Sequence, residues 1–114
     1  MNWYIAKVVF QIVGEGMAKP QFDEHIRLIE ARGFEEALLK ARMLGLREEE
    51  IVINDQHGPY KWEFVNVAEV TPIKEWKDGI ELYSQVREME EATSYINYVH
   101  NQAAVMQLSY KPAF

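Results

Sequence analysis

Residues 22–45 read FDEHIRLIEARGFEEALLKARMLG, and this stretch decides the fold. Phe22, Ile26 and Leu28 follow the period of two that puts alternate side chains on one face of a strand. Gly33 breaks that pattern. Beyond it Phe34, Ala37, Leu38, Ala41 and Leu44 recur at helical spacing, with Glu35 and Glu36 in the first turn, where the helix dipole favours acid. Gly45 reads as a natural stop. A strand that turns directly into a helix points to an α+β domain.

Upstream, residues 3–13 alternate as well, with Tyr4, Ala6, Val8, Phe10 and Ile12 on one face and Trp3, Ile5, Lys7, Val9 and Gln11 on the other. Residues 14–20 hold two glycines and a proline, the composition of a hairpin connection, so the first two strands pair antiparallel. Downstream, Glu48, Glu49 and Glu50 read as solvated acids, residues 51–53 as a short extended segment, and residues 54–59 (NDQHGP) as a turn. A third strand over 60–70 carries Tyr60, Trp62, Phe64, Ala68 and Val70 on one face and is ended or bent by Pro72. Asp78-Gly79 marks a turn into a fourth strand with Ile80, Leu82 and Val86 on its apolar side. Residues 88–110 contain neither Gly nor Pro. Met89, Ala92, Ile96, Val99, Ala103, Met106 and Tyr110 recur there at spacings of three and four, the pattern of a long amphipathic helix that stops before Pro112.

The expected order is ββαββα, a four-stranded, mainly antiparallel sheet in the spatial order 2-1-3-4 with two helices on one face. That covered face should carry Val8, Phe10, Ile26, Leu28, Trp62, Phe64, Ile80 and Leu82. The length of 114 residues fits a single domain, 1–114, with the sheet and first helix over 3–87 and the long helix over 88–110.

Composition excludes several functions. Hydrophobic residues at 48% and charged residues at 26% are globular proportions. With no cysteine there is no thiol catalysis, disulfide or thiolate metal site. The start, MNWYIAKVVF, lacks the pattern of a secretory leader, and no apolar stretch approaches the ~20 residues of a membrane helix, so a cytoplasmic protein is expected. A formal net charge of -6 argues against binding to nucleic acid or an anionic membrane.

Two surfaces are candidates for function. The sheet face opposite the helices should show Trp3, Ile5, Lys7, Val9, Asp23, His25, Arg27, Ile29, Glu63, Val65, Val67 and Tyr83, a mixture of apolar and charged groups that suits an interface or a ligand platform. Trp3, Ile5, Val9 and Val65 are its candidate interface residues. Asp23 and His25 are side-by-side neighbours on a strand, and with Arg27 and Tyr83 they form the candidate ligand-binding cluster. The second surface is the last helix, whose seam of Ala92, Ile96, Val99, Ala103 and Met106 is a candidate subunit interface, since residues 88–110 contain no Lys or Arg.

Motifs for chemistry are missing. No histidine has zinc-protease or other metal spacing, Gly14 and Gly16 do not open a phosphate loop, and no GxSxG or RNA-platform signature occurs. No cofactor, metal or catalytic residue is expected.

Taken in order, WYIAKVVFQI, PQFDEHIRLIEA, FEEALLKARMLGL and KWEFVNVAEVTPI resemble an uncharacterised bacterial domain-of-unknown-function family of the DUF4288 type. The resemblance spans residues 3–86 and implies a single-domain bacterial protein without an assigned activity, cofactor or catalytic residue. From the two surfaces, the expected function is a non-enzymatic, self-associating interaction module, a homo-oligomer with a dimer favoured and an unknown protein partner left open. One alternative is a small-ligand-binding protein using the sheet face, and the other is an acidic masking protein of the immunity or antitoxin kind.

Overall fold

The computed structural model describes residues 1–54 and 58–110, leaving aside the side chains of 52–54 and 58. His57, the middle of the expected 54–59 turn, and Pro112 lie outside the described residues. The chain divides into two compact units, Met1–Tyr83 and Ser84–Phe114.

The first unit holds β1 (Asn2–Gly14), β2 (Gln21–Ala31), α1 (Phe34–Arg47), β3 (Glu50–Asn54) and β4 (Gly58–Ile73), and the second holds α2 (Ala92–Ser109). All strand pairs are antiparallel, in the order β2-β1-β4-β3. The fold is α+β with element order ββαββα, as the sequence predicts. The strand starting near Tyr60 does lie beside β1, but the edge strand is β3 and not residues 80–86. Ile51, Val52 and Ile53 are three consecutive β-branched residues, which suit a pleated edge better than the sparse Ile80, Leu82, Val86 pattern.

β1 is the spine of the sheet. Tyr4, Ala6, Val8 and Phe10 are buried on the face covered by α1, together with Ile29 and Ala31 of β2 and Ala37 and Ala41 of the helix. Leu44, Trp62, Phe64, Val67 and Val70 pack around them.

The register corrects the expected faces of β2. Phe10 opposes Asp23, Val8 opposes His25, Ala6 opposes Arg27 and Tyr4 opposes Ile29, so those β2 residues share the helix-covered face. Ile26 and Leu28 face the other way and stay about half exposed (49% and 52%). The phase differs by one residue, and a one-residue slip exchanges the faces of a whole strand.

β4 departs from a period of two for a different reason. Glu69 pairs with Lys7 and Val67 with Val8, then Asn66 with Val9 and Phe64 with Phe10, so Ala68 and Val65 are extra residues at two bulges. Phe64, Val67 and Val70 thereby reach the core at intervals of three, and Val67 takes the place expected for Ala68.

Residues 74–83 form no strand. They turn at Asp78-Gly79, where Gly79 has φ 82° and the Ile80 N–H donates to the Lys77 carbonyl at 3.2 Å, and they cross the far face of the sheet. The Trp76 ring meets Trp3 edge-on at 6.2 Å, and Lys7 donates to the Tyr83 hydroxyl at 3.1 Å with its ammonium 5.5 Å from the ring centroid. Ile5 is buried on this side, next to a shallow apolar recess of about 240 Å³ bounded by Ile26, Leu28, Ile73, Trp76 and Leu82.

α1 continues past Gly45 to Arg47, so Gly45 does not stop it. The glycine is buried inside the last turn, where a Cβ would come within 2.3 Å of the Phe64 ring. Its role is close approach of the helix to β4. In the second unit, α2 begins at Ala92, four residues later than the expected Glu88, with the Ser94 hydroxyl donating to the Glu91 carboxylate at 3.2 Å. None of its residues is buried.

Gly45→Ala sets a gain in helix propensity against displacement of a packed ring. The clash should prevail, lowering stability by about 1–3 kcal/mol. Urea unfolding followed by circular dichroism measures it, and unchanged or raised stability would show that Phe64 gives way freely.

Candidate functional site

The covered face of the sheet is longer than its cover. β1 has 13 residues and spans about 43 Å at ~3.3 Å per residue, whereas α1 has 14 and spans about 21 Å at ~1.5 Å per residue. Past the C-terminal end of α1 the face opens into a cavity of about 640 Å³. Asp23, His25 and Arg27 of β2 lie in it, walled by Phe10 and Trp62 and by residues 47–50, where the helix ends and β3 begins.

These side chains form one connected chain of hydrogen bonds. The Trp62 indole N–H donates to Asp23 Oδ2 at 3.1 Å, and His25 Nε2 meets the same oxygen at 2.9 Å. Arg27 Nη1 lies 3.2 Å from His25 Nδ1, and the guanidinium clasps Glu48 through both oxygens, at 2.6 and 2.9 Å. A guanidinium can only donate, so Nδ1 accepts from Arg27 and the ring proton sits on Nε2, where it donates to Asp23. Both ring nitrogens are then engaged. The ring also packs against Phe10, with centroids 5.0 Å apart. Next to this chain, Glu49 Oε2 accepts the Phe64 backbone N–H at 3.1 Å.

The His25 hydrogen bond, helped by Trp62, draws the Asp23 carboxyl below its ordinary value of 3.8, against the opposing effect of burial. The Arg27 hydrogen bond draws Glu48 below 4.5, and Glu48 in turn raises Arg27.

The structure brings Asp23, His25 and Arg27 together but puts them on the helix-covered face, not the open one. Tyr83 is not with them; it contacts Lys7 on the far face, where Lys7 also pairs with Glu24 at 3.4 Å. Sequence reading missed Phe10, Glu48 and Trp62 as site residues. Glu48 had no signal beyond a run of acids, but a 14-residue helix that follows β2 and folds back over it spans about six strand residues, and so ends over the middle of β2, where His25 and Arg27 stand. Of the candidate interface residues, Trp3 and Ile5 lie beside or beneath the crossing segment, Val9 is half-buried, and Val65 is exposed at its bulge. Ala92, Ile96, Val99, Ala103 and Met106 lie along α2. Among the described residues no group of three or more His, Asp or Glu could hold a metal ion, and no helix is long and apolar enough to cross a membrane.

The carboxylates give the acid limb of stability a definite sign. Both are depressed on folding, so their contribution is complete above the ordinary values of 3.8 and 4.5 and is lost as pH falls through the lower folded-state values. Urea midpoints measured from neutral pH downward should fall less steeply for a Asp23→Asn, Glu48→Gln double variant than for the parent chain. Parallel profiles would show that neither pair is coupled to folding.

The chain belongs to the family described as Domain of unknown function (DUF4288), whose model matches residues 3–84. No curated protein and no solved structure matches it. The family match ends beside the boundary of the first compact unit at Tyr83, so it takes in the sheet, α1 and the crossing segment but not α2.

Proposed function

We propose that the Met1–Tyr83 unit is a small-ligand-binding domain whose pocket, at the open end of α1, takes a compact organic cation. The observation that carries this reading is the cavity of about 640 Å³, which is in the size range of small-molecule sites and has a polar array along one wall. Asp23, His25, Arg27, Glu48 and Trp62 hold one another through hydrogen bonds, so the wall is set before a ligand arrives. Around the cavity four carboxylates, Asp23, Glu48, Glu49 and Glu50, face two guanidiniums, Arg27 and Arg47, and Arg27 is already paired with Glu48. A positive ligand suits that balance, and the half-buried ring of Trp62 adds a face on which a cation can rest.

Binding is favoured over catalysis by the state of His25. A histidine base needs one nitrogen directed at substrate, and here Asp23 takes one and Arg27 the other. The arrangement fixes an imidazole and leaves it no lone pair to offer.

Titration calorimetry and thermal unfolding with a panel of primary amines, quaternary ammonium compounds and guanidines, set against matched carboxylates and phosphates, test the reading. At least one cationic class should bind and raise the unfolding temperature, with affinity reduced about tenfold or more by Trp62→Leu. Binding confined to anions, or no binding by any class, would overturn it.

A further inference from the structure

α2 has a composition that a helix facing water does not need. Its 18 residues, ATSYINYVHNQAAVMQLS, include no Asp, Glu, Lys or Arg, and none is buried. Ile96 is 50% exposed, Val99 45% and Met106 68%. At about 100° per residue, Ala92, Tyr95, Ile96, Tyr98, Val99, Ala103, Val105 and Met106 occupy roughly half of the helix circumference. Within that half Ala92, Ile96, Val99, Ala103 and Met106 keep the four-three-four-three spacing of a coiled-coil seam.

From this we infer that α2 is a self-association element, packing antiparallel against α2 of a second copy of the chain. Charge selects the occupant. A basic or acidic partner would find no opposite charge on the helix, and an anionic membrane would find no lysine or arginine to hold it. The polar side chains outside the seam, Asn97, Asn101, Gln102 and Gln107 among them, both donate and accept hydrogen bonds, so the helix surface complements a copy of itself. Direction follows from the flanks. Glu88, Glu90 and Glu91 precede α2, so a parallel pair would set two acidic runs side by side, whereas an antiparallel pair separates them and joins opposite ends of the helix dipoles. In that arrangement Val99 faces Ala103 of the second copy and Ile96 faces its Met106. The inference is independent of the ligand pocket, which belongs to the other unit.

Two measurements on the full chain decide it. Native mass spectrometry and light scattering should find a dimer for the parent chain and a monomer for a Val99→Glu, Ala103→Glu double variant that keeps its sheet signal by circular dichroism. A monomeric parent chain, or a double variant that remains dimeric, would overturn the assignment. Since the chain has no cysteine, Ile96→Cys and Met106→Cys can be made singly and oxidised under mild conditions. Mixed, they should cross-link to each other several-fold more than either does to itself; preferential self-cross-linking would mean a parallel pair and refute the antiparallel one. This readout stands even where the double variant fails to fold.

Discussion

β1 is buried from both sides, and the rest of the first unit follows from that. Tyr4, Ile5 and Ala6 are consecutive and all buried, which in a strand places Tyr4 and Ala6 on one face and Ile5 on the other. An antiparallel sheet often leaves one face to water, but here β1 carries Trp3, Ile5 and Val9 on the second face as well, and they call for cover. α1 supplies the first cover. Its contact residues Ala37, Ala41 and Gly45 are small, so the helix comes down close to the sheet and the rings of Phe10 and Phe64 fill the space beside it. Residues 74–83 supply the second, carrying Trp76 to Trp3 and Tyr83 to Lys7. A fourth strand at residues 80–86 would have extended the sheet edge and left Ile5 uncovered.

The candidate site results from the mismatch between a short cover and a long face. Polar side chains on the core side of a sheet are costly unless their hydrogen bonds are made, and here every charged group of the β2 triplet has a partner: Asp23 has two donors, His25 uses both nitrogens, and Arg27 is clasped by Glu48. No buried side-chain nitrogen or oxygen among the described residues lacks a partner. The end of α1 also fixes the far end of the network, because Glu48 directly follows its last residue. The helix that covers the core thus positions the acid that holds Arg27.

How much of this was legible in the sequence depends on how many faces of each strand are buried. β1, β2 and α1 could be read, as could the pairing of the Tyr60 strand with β1, since alternation, turn residues and the change of period at Gly33 are local signals. The phase of β2 could not. With both sheet faces covered, Ile26 and Leu28 on one side compete with Ile29 and Ala31 on the other, and the greasier pair is the one left half exposed. Hydrophobicity alone therefore selected the wrong face, and the register with β1 settles it. In β4 the bulges at Val65 and Ala68 turn a period of two into steps of three, which no fixed period anticipates. Asp23, His25 and Arg27 were recognisable as a cluster because they alternate on one strand. Glu48 and Trp62 reach them only through tertiary folding.

The two units differ in where their apolar side chains lie. Met1–Tyr83 closes a core around β1, and the family match covers that closed unit. α2 closes nothing within its own unit, yet it is rich in Tyr, Ile, Val, Met and Leu and carries no charged residue. An isolated helix of this length is marginal in water, because forming the first turn is costly and propagation adds little per residue. Uncharged sequences gain nothing from ion pairs between neighbouring turns, and with no base in the last turn the C-terminal end of the α2 dipole has no side-chain complement. What can hold such a helix is burial of its apolar half against a surface outside itself. A second α2 offers a surface with the same lack of charge and the same polar margins, so that the two apolar halves can be removed from water together without stranding a charge on either side.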